Sequence, residues 1–241
     1  MCKVDPPLVD KQRRVRVERC QFTLREFNGG RSKLTWEVLT GDETWFCRYD
    51  PETKMRSAVW PFPDESLPPK LKRPRSAQKK IVACFFGTSG HVAIVPLDDR
   101  RTVTADWYGH HCLSKVFEVW CQRRPKTGLG GLFLHQDNAS AHTAATTVDF
   151  LNESEVQLLP YPPYSPDLSP CDFFLFPELK RQLNGILFES AEEACRAFPR
   201  AVEDRPKSTW AEEWKTWFHR MAKCIAAEER FFEKMEQFFV W

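Results

Sequence analysis

Residues 161–172 read YPPYSPDLSPCD. Pro162, Pro163, Pro166 and Pro170 fix φ and lack a backbone N–H, so neither a helix interior nor a central strand can run through this stretch. It nevertheless joins an apolar run at 156–159 to an apolar helical pattern that starts at Phe173. A stiff connection between two such elements has to place something, and the residue it delivers to the next helix is Asp172. Two other short stretches hold an aspartate in a similar setting: GDETW at 41–45 and HQDNASAH at 135–142. The remainder of the chain reads as a scaffold that brings Asp42, Asp137 and Asp172 together.

The elements around these stretches predict an α/β fold. Residues 9–27 read as a leading helix, with Val15, Cys20, Leu24 and Phe27 near a helical stripe, stopped by Asn28-Gly29-Gly30. Residues 34–49 are rich in β-branched and aromatic side chains and read as one or two strands. The proline-punctuated stretch 51–75 reads as a loop that carries function or contacts a partner. Two apolar runs, 81–86 and 91–95, flank Gly87-Thr88-Ser89-Gly90, a hairpin signature. Thr104 can cap a helix running to about Cys121. A short strand from Leu132 then leads to Asp137, Ser140 can cap the next helix, and 156–159 is expected as a short buried strand. Antiparallel strands followed by strands alternating with helices predict a mixed sheet with helices on both faces. The tail is helical: Trp210, Trp214, Trp217, Phe218, Met221 and Ile225 recur at spacings of three and four, and Thr209 with Glu212 fits a capping box.

Composition narrows the class. With 42% hydrophobic and 28% charged residues over 241, the chain is expected to be a soluble globular protein with a real core. No run approaches the roughly 18 apolar residues of a membrane span, and no secretory leader opens the sequence. The nine cysteines are thinly spread, without zinc-knuckle spacing, and read as buried thiols in a reducing cell interior. His110, His111, Cys112 and Cys121 are expected on a helix and not around zinc. The net charge of +2 hides two basic runs. One holds Lys11, Arg13, Arg14, Arg16 and Arg19, and the other Lys70, Lys72, Arg73, Arg75, Lys79 and Lys80. A charge run is usually a solvated face; two of them, in a chain with acidic clusters, suggest a groove for phosphates.

Each aspartate has a plain structural reading. Asp42 can be a solvated turn acid, Asp137 can close an Asx-turn, and Asp172 can be the acid of a capping box begun by Ser169. Together they point elsewhere. Carboxylates on short apolar strands are costly unless they meet a cation. Hard oxygen ligands suit Mg²⁺ or Mn²⁺. Two such ions about 3.5–4 Å apart can drive phosphodiester chemistry. Glu43 should face the other side of the sheet from Asp42. Asp167, in a Ser165-Pro166-Asp167 turn, is the weaker third acid.

The stretches TGDETW (40–45), YDPETK (49–54), HQDNASAH, PYPPYSPDLSPCDFFLF (160–176) and KCIAAEERFFEKM near the end together resemble the catalytic domain of the mariner-family transposases. That family carries an aspartate triad with thirty-four residues between the second and third, the spacing found here between Asp137 and Asp172, and the resemblance extends from about Gln12 to Met235. It implies a ribonuclease-H-like mixed sheet flanked by helices, with a helical C-terminal tail. It also implies two Mg²⁺ or Mn²⁺ ions on Asp42, Asp137 and Asp172, and metal-dependent cleavage and strand transfer of DNA in the nucleus. Residues 1–30 are expected as a linker remnant and leading helix, and 31–241 as the catalytic domain. The family's two helix-turn-helix modules have no counterpart here, so DNA contact is expected to be largely non-specific and any homodimer weak. A truncated copy, or a host-adopted domain that binds DNA or a protein without full transposition activity, is the alternative. Glu229 stands where the family usually has glycine.

Overall fold

The computed structural model describes residues 8–51, 79–97, 102–203 and 205–227. Helix α1 (Asp10–Glu26) stops where Asn28 and Gly29 turn left-handed, at φ 49° and 61°. A tight turn at Lys33–Glu37 follows, with Ser32 Oγ accepting the Leu34 N–H at 3.2 Å. That turn takes the first residues of the strand expected at 34–49, and a single strand β1 (Val38–Cys47) remains. Strands β2 (Lys79–Gly87) and β3 (Gly90–Pro96) form the expected hairpin, with Gly90 at φ 122°.

A helix then begins after Thr104, whose Oγ1 accepts the Trp107 N–H at 3.2 Å. Its first part, Trp107–Leu113, is wound wide as a π-helix and continues into α2 (Ser114–Arg123). Strand β4 (Phe133–His135) ends two residues before Asp137. The helix expected after it is broken at Ala144, which is extended (ψ 146°), into α3 (Ser140–Thr143) and α4 (Ala145–Glu153). Ser140 does not cap it; Ala139 holds the N-cap position and makes no side-chain cap bond. Strand β5 (Gln157–Leu158) lies at the sheet edge. Val156 and Leu159 are buried as expected, but Gln157 and Leu158 face solvent, so this strand is not buried throughout.

After the proline loop, a second π-wound turn (Cys171–Leu175) leads into α5 (Phe176–Leu183), followed by α6 (Ala191–Glu203) and α7 (Lys207–Ala226). Pro206 sets the start of α7, so the Thr209–Glu212 capping box does not form; Glu212 pairs with Lys215 at 2.7 Å instead.

The sheet order is β3-β2-β1-β4-β5. The pairs β1/β2 and β2/β3 are antiparallel, and β1/β4 and β4/β5 parallel. Alternation along β1 divides the core. Leu39 packs with Phe85, Tyr108, Val116 and Leu134 on one face. Phe46 packs with Val82, Phe86, Phe174 and Trp210 on the other. On this second face, farther along the sheet, α1 and α7 meet through Cys20, Phe27, Trp217 and Met221 beneath Val38 and Phe133. This is the expected mixed sheet with helices on both faces. Gly41 sits in β1 because the Phe85 ring lies over it; a Cβ there would come within 2.2 Å of ring carbons. Among the described residues no helix is long and apolar enough to cross a membrane.

Candidate active site

Strands β1 and β4 run parallel with Thr40 opposite His135, and Thr40 Oγ1 lies 3.0 Å from His135 Nδ1. Two residues farther along each chain come Asp42 and Asp137. Side chains repeat every second residue, so the parallel register delivers both to the same end of the sheet. The outer carboxyl ends of parallel strands are where α/β sheets bind ligands.

Asp172 arrives from the proline loop. Ser169 Oγ accepts the Asp172 N–H at 3.3 Å, the cap expected from sequence. Asp167 is pinned elsewhere: Arg16 on α1 grips it with two hydrogen bonds, one of 2.7 Å from Nη1 to Oδ1, and both side chains are buried. Trp217 Nε1 on α7 donates to Leu168 O at 2.9 Å, and Tyr161 OH donates to Ser165 O at 3.0 Å. The loop is thus held by both α1 and α7, and the acid it commits to an arginine is Asp167, not Asp172. Arg16 was legible as a charge but not as a clamp. The signal was its place four residues before Cys20, on the buried stripe of α1.

The charges converge. Burial, then the neighbouring Asp172, Glu43 and Asp137, push the Asp42 carboxyl well above the usual carboxylate range. Burial also raises Asp172, which stands close to Asp42; the Ser169 hydroxyl and the charge of Lys180 pull the other way without reversing the shift. Two carboxyls raised side by side in this way make a site short of positive charge. Asp137 differs. Burial alone would raise it, but contact with His142 and the Ala139 N–H, which donates to Oδ1 at 2.9 Å, outweighs burial and lowers it. The Asx-turn reading of Asp137 is therefore also met.

His142 was not singled out from sequence beyond its place in HQDNASAH. It is buried, with Nδ1 2.6 Å from Asp137 Oδ1 and Nε2 3.3 Å from Glu43 Oε1. The Nδ1 approach is short but lies off the line of the ring N–H, so it is an ion pair and not a linear hydrogen bond. Burial opposes its charge, yet the two carboxylates raise its pKa to about 10. Glu43 does face the other side of the sheet from Asp42, and still reaches the cluster through His142. His135, at the other end of the motif, is fully buried and lowered to about 3, a neutral core side chain against Trp217.

A cleft of about 450 Å³ opens over Asp137 and Asp172, walled by Asn138, Tyr161, Tyr164 and Pro166. Among the described residues, no three acid, histidine or cysteine side chains already stand in ligand geometry around one point. Asp137 is turned to His142 while Asp42 and Asp172 face each other. The Asp42–Asp172 pair, deficient in positive charge, fits a hard divalent cation, with Asp137 able to join from the cleft. His110, His111, Cys112 and Cys121 lie along the helix, with His110 and His111 exposed and Cys112 buried.

The basic runs fare differently. Lys70, Lys72, Arg73 and Arg75 lie outside the described residues. Lys79 sits over the Trp45 ring at 4.1 Å, and Lys80 lies 3.6 Å from Glu192. In the first run, Arg16 is buried and Arg13 lies 3.3 Å from Asp10, which leaves Lys11, Arg14 and Arg19 on the exposed side.

No family model matches the chain. The human histone-lysine N-methyltransferase SETMAR is 29% identical over 197 residues, which cover 81% of this chain and 28% of that protein. The mariner Mos1 transposase of Drosophila mauritiana is 27% identical over 243 residues, covering 94% of this chain and 64% of that one. The chain is a homologue of the Mos1 mariner transposase. The solved Mos1 catalytic domain superposes with a TM-score of 0.77 at 22% identity, covering 95% of this chain and 99% of that domain. A Mos1 paired-end complex with Mn superposes with a TM-score of 0.83 at 24% identity, over 95% of this chain and 65% of that one. The mixed sheet is therefore the ribonuclease-H-like fold of the Mos1 catalytic domain. The chain spans between about a quarter and two-thirds of the length of these two curated relatives.

Proposed function

We propose that the chain is a transposase catalytic domain that cuts DNA and joins the freed strand to a new site, using divalent metal held by Asp42, Asp137 and Asp172. The observation that carries this reading is the convergence of these acids: the β1/β4 register gathers two, and the clamped proline loop adds the third. The homologous Mos1 protein has been solved in a paired-end complex with Mn, which supports the choice of metal and of DNA as substrate. Asp42 and Asp137 would hold both ions, and Asp172 would complete the second position. Bound there, two ions supply activation of the attacking water or 3′-hydroxyl and stabilisation of the departing oxygen. The protein's part is placement. Burial of Asp42 keeps bulk water from its inner side, and the loop clamp fixes Asp172 at the mouth of the cleft.

The test is plasmid nicking with Mn²⁺ by the wild-type chain and by Asp172→Asn. Asparagine keeps size and capping ability but removes one charged ligand. Cleavage is expected to fall by orders of magnitude while the fold persists. Retained cleavage by the variant would remove Asp172 from the reaction. A second reading, a host-adopted domain that binds DNA without cutting it, draws on SETMAR, a homologue named for a different activity. It predicts DNA binding by the wild type with no nicking at any Mn²⁺ concentration. Either role places the protein with chromosomal DNA in the nucleus.

A further inference from the structure

The two oxygens of Asp137 are in unequal surroundings. Oδ1 takes the Ala139 N–H at 2.9 Å and the approach of His142 Nδ1 at 2.6 Å. Both act on the same atom, and the side chain, 40% exposed, lines the cleft shared with Asp172. His142 is itself firmly held. Its Nε2 meets Glu43 Oε1 at 3.3 Å, and the Tyr108 ring lies over it with centroids 4.0 Å apart. Tyr108 OH donates to Gln136 Oε1 at 2.6 Å, beside Asp137 in the chain. Tyr108 comes from the π-wound turn before α2, and π-wound turns within helices are frequent at functional sites.

We propose that His142 is a positioning residue: braced by Glu43 and Tyr108, it ties Asp137 Oδ1 and so leaves Oδ2 as the oxygen offered to a divalent cation. The inference rests on the reading of Asp137 as a metal ligand, and it adds a residue that acts only through Asp137. Partners that orient a ligating side chain typically contribute 10–100-fold in metal affinity.

Two substitutions separate the two sides of the ring. In His142→Asn the amide nitrogen falls near the Nδ1 position, so it still reaches Asp137 but no longer reaches Glu43. In His142→Gln it falls near Nε2, so it still reaches Glu43 but no longer reaches Asp137. Mn²⁺ affinity is read by calorimetry and by the paramagnetic resonance signal of free ion, with thermal melts of each metal-free variant. His142→Gln is expected to bind Mn²⁺ about 10–100-fold more weakly than wild type, and His142→Asn to stay within a few-fold. A merely structural histidine would give parallel losses in both, or none in either, and either result overturns the proposal. Should His142→Gln not fold, Ala139→Pro removes the other Oδ1 donor at φ −57°, where proline fits. It is expected to weaken Mn²⁺ binding with His142 intact, and unchanged affinity would count against the proposal. Wild type that binds no Mn²⁺ defeats the metal-ligand reading itself, whereas wild-type binding with equal affinity in both histidine variants defeats only the role of His142.

Discussion

Asp167 and Asp172 lie five residues apart on one loop, and their surroundings assign them opposite work. Asp167 is buried against Arg16, so its charge is neutralised within the protein. Asp172 faces Asp42, another acid, and its charge is left for something else. Asp167→Ala deprives a buried guanidinium of its carboxylate partner, which typically costs about 3–5 kcal/mol. Denaturant unfolding should show a loss of that order, with any loss of Mn²⁺ affinity in the folded fraction following from the loosened loop and smaller than that of Asp172→Asn. A drop in Mn²⁺ affinity with little loss of stability would instead make Asp167 a ligand. The turn setting of Asp167 made it the weaker third acid, and the spacing of the resemblance selected Asp172. The Arg16 clamp stayed hidden because partners 151 positions apart leave no local pattern.

At the scale of elements, signals that depend on near neighbours were legible. The hairpin, the Thr104 cap and the end of α1 follow from glycine and hydroxyl chemistry within a few residues. Signals overridden from a distance were not. Pro206 moved the start of α7, and Ala144 split the helix after Asp137. Gly41 looked like part of a motif; in the structure it is also the floor for the Phe85 ring. Gly41→Ala should overpack this spot and cost about 1–3 kcal/mol in chemical denaturation. Unchanged stability would mean that Phe85 can step aside.

The hairpin also carries a pH dependence. Burial first, then Arg123, lowers His91 to about 4, and its Nε2 is buried without a hydrogen-bond partner. An unfolded histidine titrates near 6.5. Between roughly pH 6.5 and 4 the unfolded chain therefore binds the extra proton, so stability should fall as pH falls through this window, by at most about 1.4 kcal/mol per pH unit for this group. His91→Gln should flatten that part of the stability profile. An identical profile in the variant would show that His91 does not contribute.

For the whole molecule, the architecture was legible because the strand-helix alternation and the proline loop both point to one mixed sheet. Of the basic residues expected to meet DNA, Lys70, Lys72, Arg73 and Arg75 lie outside the described residues, Lys79 and Lys80 meet Trp45 and Glu192, and Arg16 of the first run is turned inward. Phosphate contacts without base readout position DNA but do not select sequence. Binding should be weak, on the order of 10⁻⁴ to 10⁻⁶ M at physiological salt, and should decline linearly in log–log form as salt rises. A salt series on two unrelated duplexes of equal length checks this, and a hundredfold preference for one would show that the chain reads sequence by itself.

The central claim is that Asp42, Asp137 and Asp172 form one metal site. Its most direct test is anomalous scattering from crystals of the chain grown with Mn²⁺. The expected result is manganese density beside Asp42 in β1 and Asp137 just past β4, with Asp172 on the same cluster. Crystals at saturating Mn²⁺ that show manganese absent from these acids, or bound elsewhere, would contradict it.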